Sequence, residues 1–360
     1  MFKKVVLFVL ICSLATVAAL AGCQQPGEDS EKPEKPDEKN EVHQEQKNGE
    51  KENNDKEELI DIEETTQEET GIKIKTGDFV QFGTYYDAPV LWRVIDIDND
   101  GDLMLFTHKL ISRKPFDAPG DYHDEERRKE RGSNYWKDSN IRQWLNSKEK
   151  EIDWIQNEPS GEALQEASVG SLSSLSYSEE SGFLSDDNFT EKEREAIKTR
   201  EHKVLLSETD KHKKDGGSEQ HEIDSDVNSR IPPFKNFDDA YHQIVEDRVF
   251  LLSLQELREL AYGRGMKYRA KATKELANKH PNKYPEDLDM LSYQSFYLRT
   301  PRPDSSIGVF SLREVCEHGV MPDTVTSSIT HIRPALKLDL SRGIIESGSG
   351  EKEDPFVVAR

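Results

Sequence analysis

The sequence predicts an α+β domain: a small, twisted, mostly antiparallel sheet with flanking short helices and long irregular loops, preceded by a disordered linker. Three features carry this expectation. β-Branched and aromatic blocks open and close the region 71–346, short amphipathic stretches with capping signals lie between them, and polar tracts separate these elements without a periodic apolar face.

DFVQFGTYY at 78–86, VLWRVIDID at 90–98 and DLMLFTH at 102–108 read as a β-meander, with Asn99, Asp100 and Gly101 as a tight hairpin turn. Tyr85 and Tyr86 fall in the preceding turn and are candidates for exposure. A helix is expected over Ser139 to Ser147, because Ile141, Trp144 and Leu145 recur at three and four residues on one face. Trp92, Trp136 and Trp144 are expected as core or loop anchors.

Thr190 with Glu193, and Ser253 with Glu256, have capping-box spacing. The second box opens a helix carrying Leu254, Leu257, Leu260 and Ala261 before a stop at Gly263, and VFLL at 249–252 precedes it as a buried strand. A further short helix is expected from Lys271 to Lys279, ended by Pro281. SFYLRT at 295–300 and HIRPALKLDL at 331–340 then close the domain as strands. The tracts 157–187 and 207–230 are expected as long surface excursions, and 347–360 as a C-terminal tail.

The N-terminus sets the expected address. Lys3 and Lys4 precede an apolar run from Val5 to Ala21, and Leu20, Ala21, Gly22 and Cys23 form a lipobox. Residues 1–22 are thus expected as a lipoprotein signal peptide cleaved between Gly22 and Cys23, with the Cys23 thiol as lipid attachment site. A plain secretory signal and an uncleaved spanning helix compete with this reading, but the run is at the short end for a span and small residues crowd its end.

Residues 23–70 follow as the lipidated cysteine and an acidic linker. From Gln24 to Thr70 there are 18 Asp or Glu against 6 Lys, and aliphatic residues are scarce before Leu59. Such a stretch buries no core and is expected to act as a spacer, holding the domain on the order of 40 Å from the bilayer.

Composition removes several function classes. The chain has 71 acidic and 49 basic residues, a formal charge of −22. Its densest basic run, Arg127, Arg128, Lys129 and Arg131, is interleaved with Glu125, Glu126 and Glu130, so it reads as a solvated face and no nucleic-acid partner is expected. Cys12 leaves with the signal and Cys23 is lipidated, which leaves Cys316 without an intrachain disulfide partner. Asp96, Asp98, Asp100, Gly101 and Asp102 imitate the start of a calcium loop, yet its twelfth position holds Thr107 rather than a bidentate Glu. No metal and no cofactor is assigned. His212 and His221 lack any fixed ligand geometry.

The ordered blocks GDFVQFGTY, LWRVIDID, SNIRQWLN, DRVFLLSLQEL, FYLRTP and IRPALKLDL, over residues 77–340, resemble a domain of unknown function found in Gram-positive surface proteins and lipoproteins. Where that family typically reads WWLRSP, Phe296 and Tyr297 stand here, and the segment before the closing strand contains Cys316, His318 and Met321. The tail GSGEKEDPFVV is similar to endings of Gram-positive exported proteins. The distal layout, an aromatic-Leu-Arg turn, a variable loop and a closing Arg-Pro-Ala strand, is similar to the formylglycine-generating-enzyme and C-type-lectin-like fold. That fold hosts both oxidases and ligand-binding modules, so the likeness does not choose between them.

Catalytic signals are sparse. The oxidase branch of that fold uses paired cysteines, and Cys316 is single; HExxH, G-x-S-x-G, P-loop and Gly-rich dinucleotide patterns are missing. Cys316 and His318 are the one pair spaced for a thiolate dyad, and a lone Cys near a His is more often inert. The expectation is a lipid-anchored extracytoplasmic lipoprotein on the cell membrane, with a non-catalytic binding or structural domain that meets a surface glycan or peptide. The alternative is a cell-envelope enzyme, which would gather two or more of Cys316, His318, His331, Asp304 and Asp323 in one cleft. Arg299, Asp304 and Arg333 are the candidate binding residues; for both arginines a structural role competes with ligand contact.

Overall fold

The computed structural model describes residues 63–166, 172–288, 292–312 and 319–359. Residues 1–62, on which the expected signal segment with Gly22, the expected lipid attachment at Cys23 and most of the expected linker fall, lie outside the described residues, as do Cys316 and His318.

β1 (Glu64–Thr66) and β2 (Lys73–Lys75) form an antiparallel hairpin, so folded chain is already present upstream of the boundary at Gly71 expected from composition. One neutral side chain explains the difference. Gln67 is buried, its amide donates to Leu340 O (2.8 Å) and Gly343 O (3.0 Å), and its Oε1 accepts from Ile345 N (2.8 Å).

β3 (Phe79–Tyr85), β4 (Ala88–Ile97) and β5 (Leu103–Thr107) make the expected antiparallel meander. The first turn takes Tyr86 and Asp87 through the left-handed region (φ 51° and 59°), and the second uses Gly101 (φ 83°). Val80 and Phe82 of β3, Val90, Trp92 and Val94 of β4, and Leu103 and Leu105 of β5 are buried in the core. Tyr85 corrects the expectation of exposure. It is buried, its hydroxyl donates to Glu180 Oε1 (2.6 Å) and lies 3.1 Å from Ser112 Oγ, while Tyr86 is half-buried beside it.

α1 (Glu126–Arg131) carries the basic run, and it is not wholly solvated: Arg128 is buried and pairs with Asp210 (2.5 Å) and Asn134 (3.0 Å). α2 (Asn140–Asn146) starts where Ser139 accepts from Arg142 N, and it buries Ile141, Trp144 and Leu145. In its described parts, the tract 157–187 is more ordered than its polarity suggests. It contains α3 (Gly161–Glu166), and Leu172, Leu175, Tyr177, Phe183 and Leu184 are buried one or two at a time, too sparsely to register as a periodic face. α4 (Glu191–Ala196) has its capping box from Thr190 and Glu193.

β6 (Ile197–Lys198), β7 (Arg200–Leu205), β8 (His242–Asp247) and β9 (Val249–Leu251) follow, with β7 and β8 pairing as a separate two-stranded ribbon. The tract 207–230 is anchored too: Asp210 receives Arg128, and buried His221 sits with Nε2 3.0 Å from Pro301 O. α5 (Leu254–Arg258) begins at the second capping box, then widens into a turn at Glu259–Gly263. Thr273 caps α6 (Lys274–Lys279).

β10 (Phe296–Pro301), β11 (Gly308–Leu312) and β12 (Val320–Thr324) form a three-stranded antiparallel sheet. β13 (Pro334–Leu338), β14 (Ile345–Ser347) and β15 (Phe356–Val358) complete an eight-stranded sheet of order β14-β15-β3-β4-β5-β13-β6, with β9 also paired to β13. Its pairs are antiparallel except β15 with β3. The fold is therefore α+β. The segment 347–360, expected as a tail, supplies a strand of this sheet. Gly350 turns it at φ 82°, where a Cβ would lie 2.6 Å from the Phe356 ring.

Candidate ligand-binding cleft

β4 builds the site by alternation. Val90, Trp92 and Val94 point into the core, so Leu91 and Arg93 face outward, half-buried. β5 ends at Thr107 and leaves His108 and Lys109 beside them; β13 starts at Pro334, which puts Arg333 opposite through the β5–β13 register. The loop from Gly265 to Lys271 rises over these side chains, and Tyr293 and Lys352 complete a cleft of about 770 Å³.

Its charge is unlike that of the chain. Arg93, Lys109, Arg333 and Lys352 line it from the sheet side, Lys267, Arg269 and Lys271 line it from the loop, and among the described residues no acidic side chain does. In a protein of formal charge −22, that is a local inversion of sign.

Arg333 is only 3% exposed. Its Nε donates to Thr107 O (2.8 Å), its other nitrogens donate to Tyr268 O and His108 O, and its guanidinium lies 3.9 Å from the Phe106 ring centroid. Among the described residues no carboxylate is in ion-pair contact with it. Burial, and after it the field of Arg93, pushes its pKa down to about 9. His108 reports the same field. Burial, followed by Arg333, Lys352, Lys109 and Arg93, pushes this imidazole down to about 4. Arg93 packs over Phe79 and Arg269 over Tyr293, which is 41% exposed, so flat apolar surface accompanies the cations.

Arg299 occupies a different setting. Equally buried, its guanidinium donates to Glu256 Oε2 (2.6 Å) and Leu251 O. Burial opposes the Glu256 charge, but Arg299 and then Arg200 hold this carboxyl well below the usual range. His202 lies against the pair, its Nδ1 3.5 Å from Arg299 and its ring 4.2 Å from the Phe250 centroid. This cluster ties β7, β9, α5 and β10 together. Asp304 is exposed and accepts twice from Arg302 at 3.0 Å. The structure therefore puts Arg333 in the cleft, Arg299 in a charge-paired core and Asp304 on the surface.

The remaining enzyme candidates are separately engaged. His331 is buried between Tyr284 Oη (2.7 Å) and Ser295 O (2.8 Å), while Asp323 accepts from Ser311 (3.1 Å) and Thr330 (2.5 Å). The acidic turn holds Asp98, Asp100 and Asp102 with ligand atoms within 4.8 Å of one another. Two of these carboxylates already receive ammonium groups, Lys337 at Asp98 and Asp102 and Lys198 at Asp102.

The sequence did hold a signal for the cleft. Between Gly263 and Thr273 the chain runs GRGMKYRAKAT, with cations at 264, 267, 269 and 271 and no acid until Glu275. The run at 127–131 is denser, but its interleaved glutamates cancel it; the acid-free run is the one that faces a cavity.

Residues 100–340 match the family described as a domain of unknown function (DUF6273), and the chain belongs to that family. No curated protein and no solved structure matches the chain. Among the described residues no helix is long and apolar enough to cross a membrane.

Proposed function

We propose that this protein is a lipid-anchored lipoprotein of a Gram-positive envelope, held at the extracytoplasmic face through Cys23, whose folded domain binds an anionic surface ligand without catalysis. One observation supports the binding role above the others: the cleft between β4 and the 265–271 loop is lined by a cluster of arginines and lysines, and among the described residues by no carboxylate. Like charges gathered in one cleft repel one another, and an incoming anion relieves that repulsion. A cell-envelope enzyme is the weaker reading, because His331, Asp323 and Asp304 are each engaged away from this cleft.

Two measurements test the reading. The full chain is expected to incorporate labelled lipid, and Cys23→Ser to lose the label. Detergent-solubilised protein is expected to be retained on a carboxylate- or phosphate-bearing matrix, with retention falling as salt rises. Lys267→Glu combined with Arg269→Glu should weaken retention at least about tenfold while leaving the circular dichroism spectrum intact, since a sign change of two exposed-edge charges alters the field more than the fold. Retention unchanged by the double variant overturns the cleft as the site.

A further inference from the structure

The basic cleft does not stand alone on β4. Pro89 and Leu91 line a smaller cavity of about 260 Å³ whose other wall is Thr273 to Glu275. Arg93 lines the basic cleft, walled by Gly265 to Lys271. Asp96 comes next along the strand, facing Gly263 and Arg264. Passing from 89 to 96 on the strand thus means passing from 275 to 263 on the facing segment. The two are antiparallel walls of one trough.

Shared lining residues join its parts, because His108 and Lys109 border both the small cavity and the basic cleft. At the far end Arg264 reaches across, pairing with Asp96 on β4 and with Glu63 (2.7 Å). This crossing bar closes the trough. The remainder is roughly 20 Å long, taking about 3.3 Å for each strand residue.

The chemistry changes along that length. Beside the bar the walls are cationic, whereas at the open end Pro89 and Leu91 offer apolar surface over the buried Val90 and Ile111, between Lys109 and the adjacent Lys274 and Glu275 on the facing wall. A small inorganic anion uses only the first part. Resting on the anion-binding reading above, we infer that the ligand is a linear anionic glycopolymer: its terminal charged repeats lie in the basic cleft against the Arg264–Asp96 bar, and the carbon faces of the following repeats run out over Pro89 and Leu91. Charge complementarity selects the polyanion, and the apolar outlet selects sugar or polyol repeats over bare phosphate.

The experiment uses the full chain in detergent with size-defined oligogalacturonates and glycerol-phosphate oligomers, as monomer, dimer, tetramer and octamer. These arms separate a carboxylate from a phosphodiester source. In at least one series affinity should climb about tenfold or more from monomer to tetramer and then level off, because repeats beyond the trough make no new contact. Leu91→Asp, or the more exposed Pro89→Asp if the first variant fails to fold, should collapse the tetramer-to-monomer ratio toward one. Equal affinity for monomer and octamer overturns the trough while leaving the basic cleft as an anion site. Failure of every oligomer to bind overturns both. Tighter binding of a single-stranded oligonucleotide of matched charge also overturns the glycopolymer assignment.

Discussion

Arg299 and Arg333 are alike in sequence setting and in burial, each close to a strand end beside a Pro or Thr-Pro and each 3% exposed, yet they sit in opposite electrostatic surroundings. Arg299 meets the Glu256 carboxylate at 2.6 Å, and the surrounding positive field is answered on the spot. Arg333 meets backbone carbonyls and two phenyl rings, and its nearest charged company is more cations. The difference separates a charge answered by a carboxylate within the fold from one held by backbone carbonyls and aromatic rings. Burial alone does not distinguish them.

The largest expected effect falls on the paired centre. Glu256→Gln leaves Arg299 buried without its counter-charge, removes the ion pair to Arg200 and weakens the capping box of α5. Losing one partner of such a pair costs about 3–5 kcal/mol. Denaturant unfolding should show the free energy lowered by that amount, through a lower midpoint with the slope preserved. A loss under about 1 kcal/mol would erase the distinction between the two arginines.

Acid should act next, through histidines buried in neutral form. Burial pushes His221 and His331 down to about 4, and His108 reaches about 4 through burial and the neighbouring cations. Between the unfolded value near 6.5 and about 4, the unfolded chain binds protons that the folded chain refuses. Stability from these groups is therefore complete above pH ~6.5 and is lost as pH falls toward 4, on the order of 2–3 kcal/mol for each of His221 and His331. His123 acts in the other direction. Burial opposes its charge, but Asp117 prevails and raises its pKa, so its contribution is lost as pH rises past its folded value. Unfolding free energies across pH 4–7 should slope upward with pH, and His331→Gln should flatten the slope.

A smaller effect is expected at the unpaired centre. Arg333→Met abandons donors to three carbonyls but also removes a charge desolvated at a cost, so the net loss should be about 1–2 kcal/mol, well below that of Glu256→Gln. Its sharper signature lies next door. With Arg333 gone, the His108 imidazole should titrate above about 4, while burial and the remaining cations still hold it below its ordinary value, as followed by its ring proton shifts. No movement of His108 would mean that burial, not the cation cluster, sets its state.

The legible part of this fold is the part with local rules. Thr190 with Glu193 and Ser253 with Glu256 form complete capping boxes, and the meander turns where Gly101 stands, because these depend on residues within four of one another. What escaped depends on distant partners. Gln67 is fixed by Leu340 and Gly343, Tyr85 by Glu180, and β15 by β3 across the whole domain. The cleft followed the same division: Arg333 was visible at its strand end, whereas Arg93, His108 and Lys352 meet it only through sheet order. The acid-free run at 264–271 was readable as charge, but a linear count favoured the denser run at 127–131.

Arg302 with Asp304 supplies the missing combination, since it is paired like Arg299 yet exposed. Both carboxylate oxygens lie 3.0 Å from the same guanidinium nitrogen, at a site where water screens the attraction and both side chains keep much of their freedom. An exposed pair of this kind contributes about 0.5 kcal/mol or less. Asp304→Ala should therefore leave the denaturation midpoint within error and leave anion retention unchanged, because Asp304 lies outside the basic cleft. If Asp304→Ala instead cost as much as Glu256→Gln, pairing itself rather than burial of the pair would be the stabilising variable, and the contrast between Arg299 and Arg333 would have to be rewritten in those terms.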